Sequence, residues 1–457
     1  MSLDQFFGPE TMAVIGASRK DGSVGKSILE NLDESFKGEL FAVNPNAEEI
    51  LGYKSYGNIK EIPKQVDHAV VALPPKIANK AVKECVEEEV PAVTVVTAGY
   101  KEAGEEGKER EEQLKEIVEG SSTRLLGPNC LGIWDAFSGV DTLFLPSEKI
   151  GKPDEGSIAL ISQSGSVGSS ILDLGAEKGI GFSRFVSYGN QSDVNEAEII
   201  EWLGEDEETG AIAVYMEGAK DARQFYERVK QLSVDKPIVV IKAGKFQSGM
   251  EAASSHTGSL AGSYQVYNGA FKQAGIVEAD TVEQLFDLSK ILAYQETIDT
   301  GKIAVVTNGG GYGVLASDYI ESEGLELAEF SEKTEEELEC ILPDFANITN
   351  PIDVIGDADS ERYRKVLEAI DEEPEVGAVL ALTLLQPAPM GPEIIEHLKE
   401  FKERSDKAVA GCMVGGEYTS RHMKELENAE FPVFPTPERA VNAIKGLMQY
   451  SKWKRKS

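Results

Sequence analysis

Residues 158–187 (IALISQSGSVGSSILDLGAEKGIGFSRFVS) and 303–331 (IAVVTNGGGYGVLASDYIESEGLELAEFS) follow one pattern: an apolar strand, a Gly/Ser-rich turn, a helix and a second strand. The likeness then continues in order. NQSDVNEAEIIEWL lines up with NPIDVIGDADSERYRKVLEAI, KPIVVIKAG with KAVAGCMVGG, and GIVEADTVEQLFDL with FPVFPTPERAVNAI. A repeat this long predicts two flavodoxin-like α/β domains related by duplication. The same alternation of β-branched runs and amphipathic stretches precedes the repeat, in MAVIGAS, ELFAVNP, HAVVALPP and AVTVVTAG. The whole chain therefore reads as α/β with parallel sheets, and ligands belong at the carboxyl ends of the strands.

At 457 residues the chain exceeds what one core serves. Three domains are expected: a Rossmann-like domain over 1–127 and the two flavodoxin-like domains over 150–295 and 300–450. The polar stretches LPSEKIGKPDEGS (145–157) and YQETIDTGK (294–302) read as connectors. A formal net charge of −34 argues against nucleic acid, whose phosphates so acidic a surface repels. Cys85, Cys130, Cys340 and Cys412 lie far apart with no CxxC pair or zinc spacing, so a reducing compartment without a structural metal is expected. No signal-peptide pattern or membrane-length apolar run stands out, and a cytoplasmic location follows as an expectation. The basic tail KWKRKS reads as a frayed terminus or a partner contact.

Four segments carry candidate chemistry. The opening AVIGASRKDGSVGKSILENL (13–32) looks like a dinucleotide-binding turn, but Gly16-Ala17-Ser18 is not G-x-G. Asn44 and Pro45 also stand where such enzymes place the acid that holds ribose. An NAD-dependent oxidoreductase is disfavoured on both counts. The same turn, with Ser18, Arg19 and Ser23 beside a helix start, suits a phosphate-bearing nucleotide, or is simply a glycine-rich structural turn. In ISQSGSVGSSILDLG (161–175), Ser162, Ser164, Gly165 and Ser166 lie where exposed amides and hydroxyls cradle an oxyanion, although serines also serve as ordinary helix caps. The corresponding TNGGGYG (307–313) suits binding or close packing equally.

Glu217, in VYMEGAKDAR, directly follows an apolar strand and can orient an imidazole; a solvated loop carboxylate is the alternative. EAASSHTGSLAG (251–262) sets His256 among residues with almost no side chain, where an imidazole either packs structurally or attacks phosphorus. The second copy has no clear counterpart: its nearest histidine, His422, sits in charged SRHMKE.

Taken together, VIGASRKDGSVG, VNPN, LPP, TAGYKEAG, GPNCLG, SQSG, YMEG and SSHTGSLAG resemble, in order and over essentially the whole chain, the α subunits of the archaeal ADP-forming acetyl-CoA synthetases. These belong to the acyl-CoA synthetase (NDP-forming) superfamily together with succinyl-CoA synthetase. The resemblance implies a CoA-binding Rossmann-like domain followed by two succinyl-CoA synthetase-type flavodoxin-like domains. It implies CoA contacts from the first turn (Gly16, Ala17, Ser18, Arg19, Ser23, Val24, Gly25), from Asn44, Pro45 and Asn46, from Leu73, Pro74 and Pro75, and from Thr97, Ala98 and Gly99. It makes His256 the residue that becomes phosphohistidine, Glu217 its support, Ser162, Gln163, Ser164, Gly165 and Ser166 the phosphate cradle, and Asn129 and Cys130 neighbours of the acyl and thioester region.

The implied reaction converts acyl-CoA, phosphate and ADP into acid, CoA and ATP. Members need an ATP-grasp module for ADP and Mg²⁺, and the residues after the second flavodoxin-like copy do not accommodate one. A separate β subunit and an α₂β₂ assembly are therefore expected. A CoA-sensing module without transfer chemistry is the rival reading, disfavoured because Glu217 and SSHTGSL are intact, while a succinate-specific enzyme remains open within the family.

Overall fold

The structure, a computed structural model, describes residues 3–251 and 264–457. It divides into two compact units, Met1–Glu177 with Phe182–Glu278, and Lys178–Gly181 with Ala279–Ser457. The first holds two sheets and the second holds one.

The first sheet is built from β1 (Thr11–Ile15), β2 (Glu39–Val43), β3 (Glu49–Ile50), β4 (Tyr53–Tyr56), β5 (His68–Val71), β6 (Ala92–Val95) and β7 (Arg124–Leu126), in the order β3-β4-β2-β1-β5-β6-β7. Only the β3–β4 pair is antiparallel. Leaving β3 aside, the six parallel strands follow the doubly wound order of dinucleotide-binding folds, which reverses direction at β1. Helices cover both faces, so β5 and β6, HAVV and AVTV, are buried at every position. Each such Val contributes roughly 1.5–3 kcal/mol by leaving water.

The second sheet contains β8 (Gly132–Asp135), β9 (Glu155–Ser162), β10 (Phe182–Ser187), β11 (Ala211–Met216), β12 (Ile238–Lys242) and β13 (Val277–Glu278), ordered β13-β12-β11-β9-β10-β8. The third contains β14 (Lys302–Thr307), β15 (Glu326–Leu327), β16 (Ile352–Asp353), β17 (Val376–Leu382), β18 (Ala408–Cys412) and β19 (Val433–Phe434), ordered β15-β14-β17-β18-β19. Numbered within each copy, β9 to β13 and their partners share the flavodoxin-like order 2-1-3-4-5, which bears out the duplication.

The copies differ at one edge. In the first, β10 is long, and its outer side is covered by antiparallel β8, so the chain joins this sheet before it reaches the polar connector at 145–157. In the second, β15 is only two residues long, and β16 takes the place beside the last residues of β14. Either device leaves less of the edge unpaired. Helix Val282–Tyr294, which closes the first copy in the repeat, packs in the second unit along Pro437–Lys454, and Arg439 and Asp287 pair there at 2.7 Å. Among the described residues no helix is long and apolar enough to cross a membrane.

Candidate active site

The switch point of the first sheet opens into a cleft of about 480 Å³. The first turn lines it with Gly16, Ser18, Ser23, Val24 and Gly25, the end of β2 with Asn44, Pro45 and Asn46, and the turn after β5 with Leu73 and Pro74. Backbone proximity explains the glycines. Gly16 has φ +99°, and a Cβ on Gly25 would lie 2.0 Å from the Gly16 carbonyl oxygen, so the helix Val24–Ser35 starts in contact with the turn. Asn44 is committed to the fold: its Nδ2 donates to the Ala17 carbonyl at 2.8 Å and its Oδ1 accepts from Asn46 N at 2.9 Å. A neutral, engaged amide occupies the position where a ribose-binding acid would stand.

Of the remaining expected contacts, Ala17 is buried beneath the turn, Arg19 is exposed, and Pro75 is the first residue of the helix Pro75–Glu87. Thr97 donates to the Leu73 carbonyl at 2.6 Å, and Ala98 and Gly99 follow it outside the cleft lining. Lys80, one turn into that helix, lines the cleft and was not singled out from sequence. The signal was there in PPKIANKAVKE, where a lysine recurs on one helical face.

The turn at 97–102 meets the segment GPNCLG (127–132) across the fold. Asn129 N donates to the Thr97 carbonyl at 2.9 Å, and Asn129 Nδ2 to Asn190 Oδ1 at 3.3 Å. Asn190 Nδ2 in turn donates to Glu102 and Glu111, both at 2.8 Å, and Lys101 Nζ donates to the Asn190 carbonyl at 2.8 Å. Burial works to raise the Glu102 pKa, but hydrogen bonds from Asn190 and the Gly99 and Tyr100 amides outweigh it and hold the carboxyl below its usual range. Sequence reading missed Asn190, which joins the first two domains within one unit. Cys130, by contrast, lies in the core with its sulfur 3.4 Å from the Val95 carbonyl, and burial pushes its thiol up to about 12. It presents no thiolate, and its thiol donates to the Val95 carbonyl within the core.

Beyond GPNCLG the chain passes the Ser162–Ser166 segment. Leu131 N donates to Ser187 Oγ at 3.0 Å, and a Cβ on Gly165 would contact the Leu131 side chain at 3.4 Å. Ser162 ends β9, between Ser187 of β10 and Tyr215 of β11, and its hydroxyl donates to the Ser164 carbonyl at 2.7 Å. Ser164 Oγ and Ser166 Oγ stand 3.2 Å apart at the start of the helix Gly165–Lys178. Ser164, just before the helix, accepts from Val167 N at 3.4 Å as a cap does, and the backbone dipole at this helix start favours an anion. The Gln163 Oε1 accepts from Glu217 N at 2.7 Å and Gly218 N at 3.2 Å, so this side chain ties the Ser162–Ser166 segment to the glutamate. Glu217 itself follows β11 at the carboxyl edge, as the sequence implied.

His256 lies in 252–263, outside the described residues. The other three histidines have structural settings. His68 is fully buried beside Thr94 at 2.8 Å, and burial depresses it to about 3. His397 and His422 sit on helices beside Glu400 and Glu425, at 3.8 and 3.2 Å. In the second copy's TNGGGYG turn, a Cβ on Gly310 would lie 2.5 Å from Asp353 Oδ2, so close packing against a carboxylate accounts for a glycine there.

Comparison with known proteins agrees with this layout. A CoA binding domain family matches residues 10–135, a succinyl-CoA ligase-like flavodoxin domain 155–292, and a ligase-CoA domain 303–452. The chain is 41% identical over 451 residues to acetate–CoA ligase [ADP-forming] I of Archaeoglobus fulgidus, covering 98% of this chain and 64% of that one. It therefore spans somewhat under two thirds of that relative. It is 38% identical to subunit alpha of acetate–CoA ligase [ADP-forming] II of Pyrococcus furiosus, covering 98% of both chains. In structure it is similar to the dinucleotide-forming acetyl-coenzyme A synthetase 1 of Ca. Korarchaeum cryptofilum solved with phosphate and ADP, with a TM-score of 0.92, 34% identity, and coverage of 99% of this chain and 98% of that one. With likeness of this degree running the length of such an α subunit, the chain belongs to the ADP-forming acetate–CoA ligase family.

Proposed function

We propose that this chain is the α subunit of an ADP-forming acyl-CoA synthetase acting on acetyl-CoA or a similarly small acyl-CoA. CoA occupies the cleft at the first sheet's switch point, with its phosphates toward the Gly16–Gly25 turn. A phosphate oxygen attacks the thioester carbonyl, the C–S bond breaks, and the thiolate takes a proton to leave as CoA. Asn129 is the nearby polar side chain in this reading. The Ser162–Ser166 cradle holds the phosphoryl group of the resulting acyl phosphate, whose developing charge oriented donors stabilise.

Neutral His256 then attacks phosphorus, the P–O bond to the acyl group breaks, and the acid departs. Glu217 supports the imidazole through its second ring nitrogen. An ADP oxygen finally attacks the phosphohistidine, the P–N bond breaks, and ATP forms. ADP and Mg²⁺ belong to an ATP-grasp partner subunit in an α₂β₂ cytoplasmic assembly.

The full-length likeness to the P. furiosus α subunit is the observation that carries the proposal. The structural settings of His68, His397 and His422 add to it, because none of them stands free at a strand end. Intact-mass measurement after incubation with acetyl phosphate, with and without the partner subunit, is the test. A single acid-labile phosphoryl adduct, absent from His256→Ala, is expected. An adduct that survives in His256→Ala, or none under either condition, sinks the proposal.

A further inference from the structure

We infer that Lys242 is a positioning residue for the transfer chemistry, its buried ammonium holding the Glu217 carbonyl and so setting the direction in which the Glu217 carboxylate is presented. This rests on the role proposed above for Glu217.

β12 reads IVVIK, and the lysine that ends it is 1% exposed. Lysine is rarely buried so completely, because an ammonium stripped of water is strongly destabilised unless protein groups replace that water. Here three groups do. Lys242 Nζ donates to the Glu217 carbonyl at 2.6 Å, donates to the Ala243 carbonyl, and lies 4.9 Å from the centre of the Tyr267 ring. Burial lowers its pKa, while the charges of Glu217 and Glu278 oppose that shift and Lys245 adds to it.

The same residue is held from its other side. Gln163 Oε1 takes the Glu217 N–H at 2.7 Å, so the peptide before the Glu217 Cα is anchored to the cradle and the peptide after it to β12. Anchoring both peptides fixes φ and ψ at Glu217, and with them the Cα–Cβ direction. Sheet order makes this possible: β12, β11 and β9 are consecutive neighbours, and Met216 pairs with Lys242 in register. A lysine that merely capped loose carbonyls at a sheet edge would stabilise the fold without acting through the Glu217 side chain.

A double-mutant cycle separates these roles. The full chain is prepared as wild type, Lys242→Met, Glu217→Gln and the double variant, each with and without the partner subunit. The rate of acid-labile phosphorylation by acetyl phosphate and the melting temperature are then measured for all four. Lys242→Met is expected to slow phosphorylation by about 10- to 100-fold at saturating acetyl phosphate, as loss of a hydrogen bond from a charged group would. The half-saturating concentration should change little, and the substitution should add nothing to Glu217→Gln. Should the methionine variant fail to fold, Lys242→Gln, which removes the charge and ends in a shorter amide, carries the same cycle. A variant as fast as wild type, or a slowing that multiplies with that of Glu217→Gln, overturns the inference and leaves the proposed function standing. No adduct in the wild type removes both.

Discussion

At Gly25 a missing side chain lets two backbone segments touch. The hypothetical Cβ at 2.0 Å from the Gly16 carbonyl cannot be accommodated by rotating a side chain, since its neighbour is backbone. Gly25→Ala should therefore shift the helix start away from the cleft, costing about 1–3 kcal/mol of stability as overpacking does and weakening CoA binding in parallel. Urea unfolding and calorimetric titration with CoA read the two effects, and an alanine variant with unchanged CoA affinity would show that the turn does not contact the ligand. That Gly16, Gly25, Ser162, Ser164, Ser166 and Glu217 stand at turns and strand ends was legible, because glycine-rich turns and residues that end apolar strands announce themselves locally. The roles of Gln163, Lys242 and Asn190 were not. Each acts through a partner 54, 25 or at least 61 positions away, and nothing in its own neighbourhood marks that partner.

Helix Glu196–Glu205 shows how an element decides a residue's chemistry. Asn195 caps it, accepting from Ala197 and Glu198 amides at 3.0 and 3.1 Å, and Asn195 N donates in turn to the Glu198 carboxylate at 3.2 Å. With the start so fixed, the first helical residue, Glu196, is turned inward and is 1% exposed. Burial raises its carboxyl to about 7, against the opposing pull of the Glu196 and Lys220 amides and of the Lys220 charge. In the unfolded chain a glutamate titrates near about 4.3. Between these values the folded state holds a proton that the unfolded state has lost, so this contribution is complete below about 4.3 and disappears as pH rises through about 7. Glu196→Gln, which stays neutral, should flatten the decline in stability over that window. Denaturant midpoints at pH 5 and pH 8 check it, and an equal drop in both proteins would assign the decline to other groups. The duplication was evident from the order of elements, whereas the differing edges were not, since β15 and β16 are two residues each and too short for any periodicity.

Across the whole molecule the dominant electrostatic fact is 79 acidic against 45 basic side chains. Local ion pairs such as Arg124 with Asp193 and Glu198, each at 2.9 Å, offset only part of the resulting repulsion. Salt at about 1 M shortens the range of charge interactions to about 3 Å, so the melting temperature should climb as KCl is raised from low concentration. A melting temperature indifferent to KCl would mean that the acidic excess is already dispersed harmlessly. Composition, periodicity and the spacing of glycines and serines are short-range properties. They were enough to establish the α/β class and the repeat and to point to the first-turn cleft. Which side chains meet at Glu217 was settled by the strand order β12-β11-β9, which brings Lys242, Glu217 and Gln163 side by side. Strand order arises from burying both faces of a sheet beneath helices distant in the chain, and no local pattern of residues carries that information.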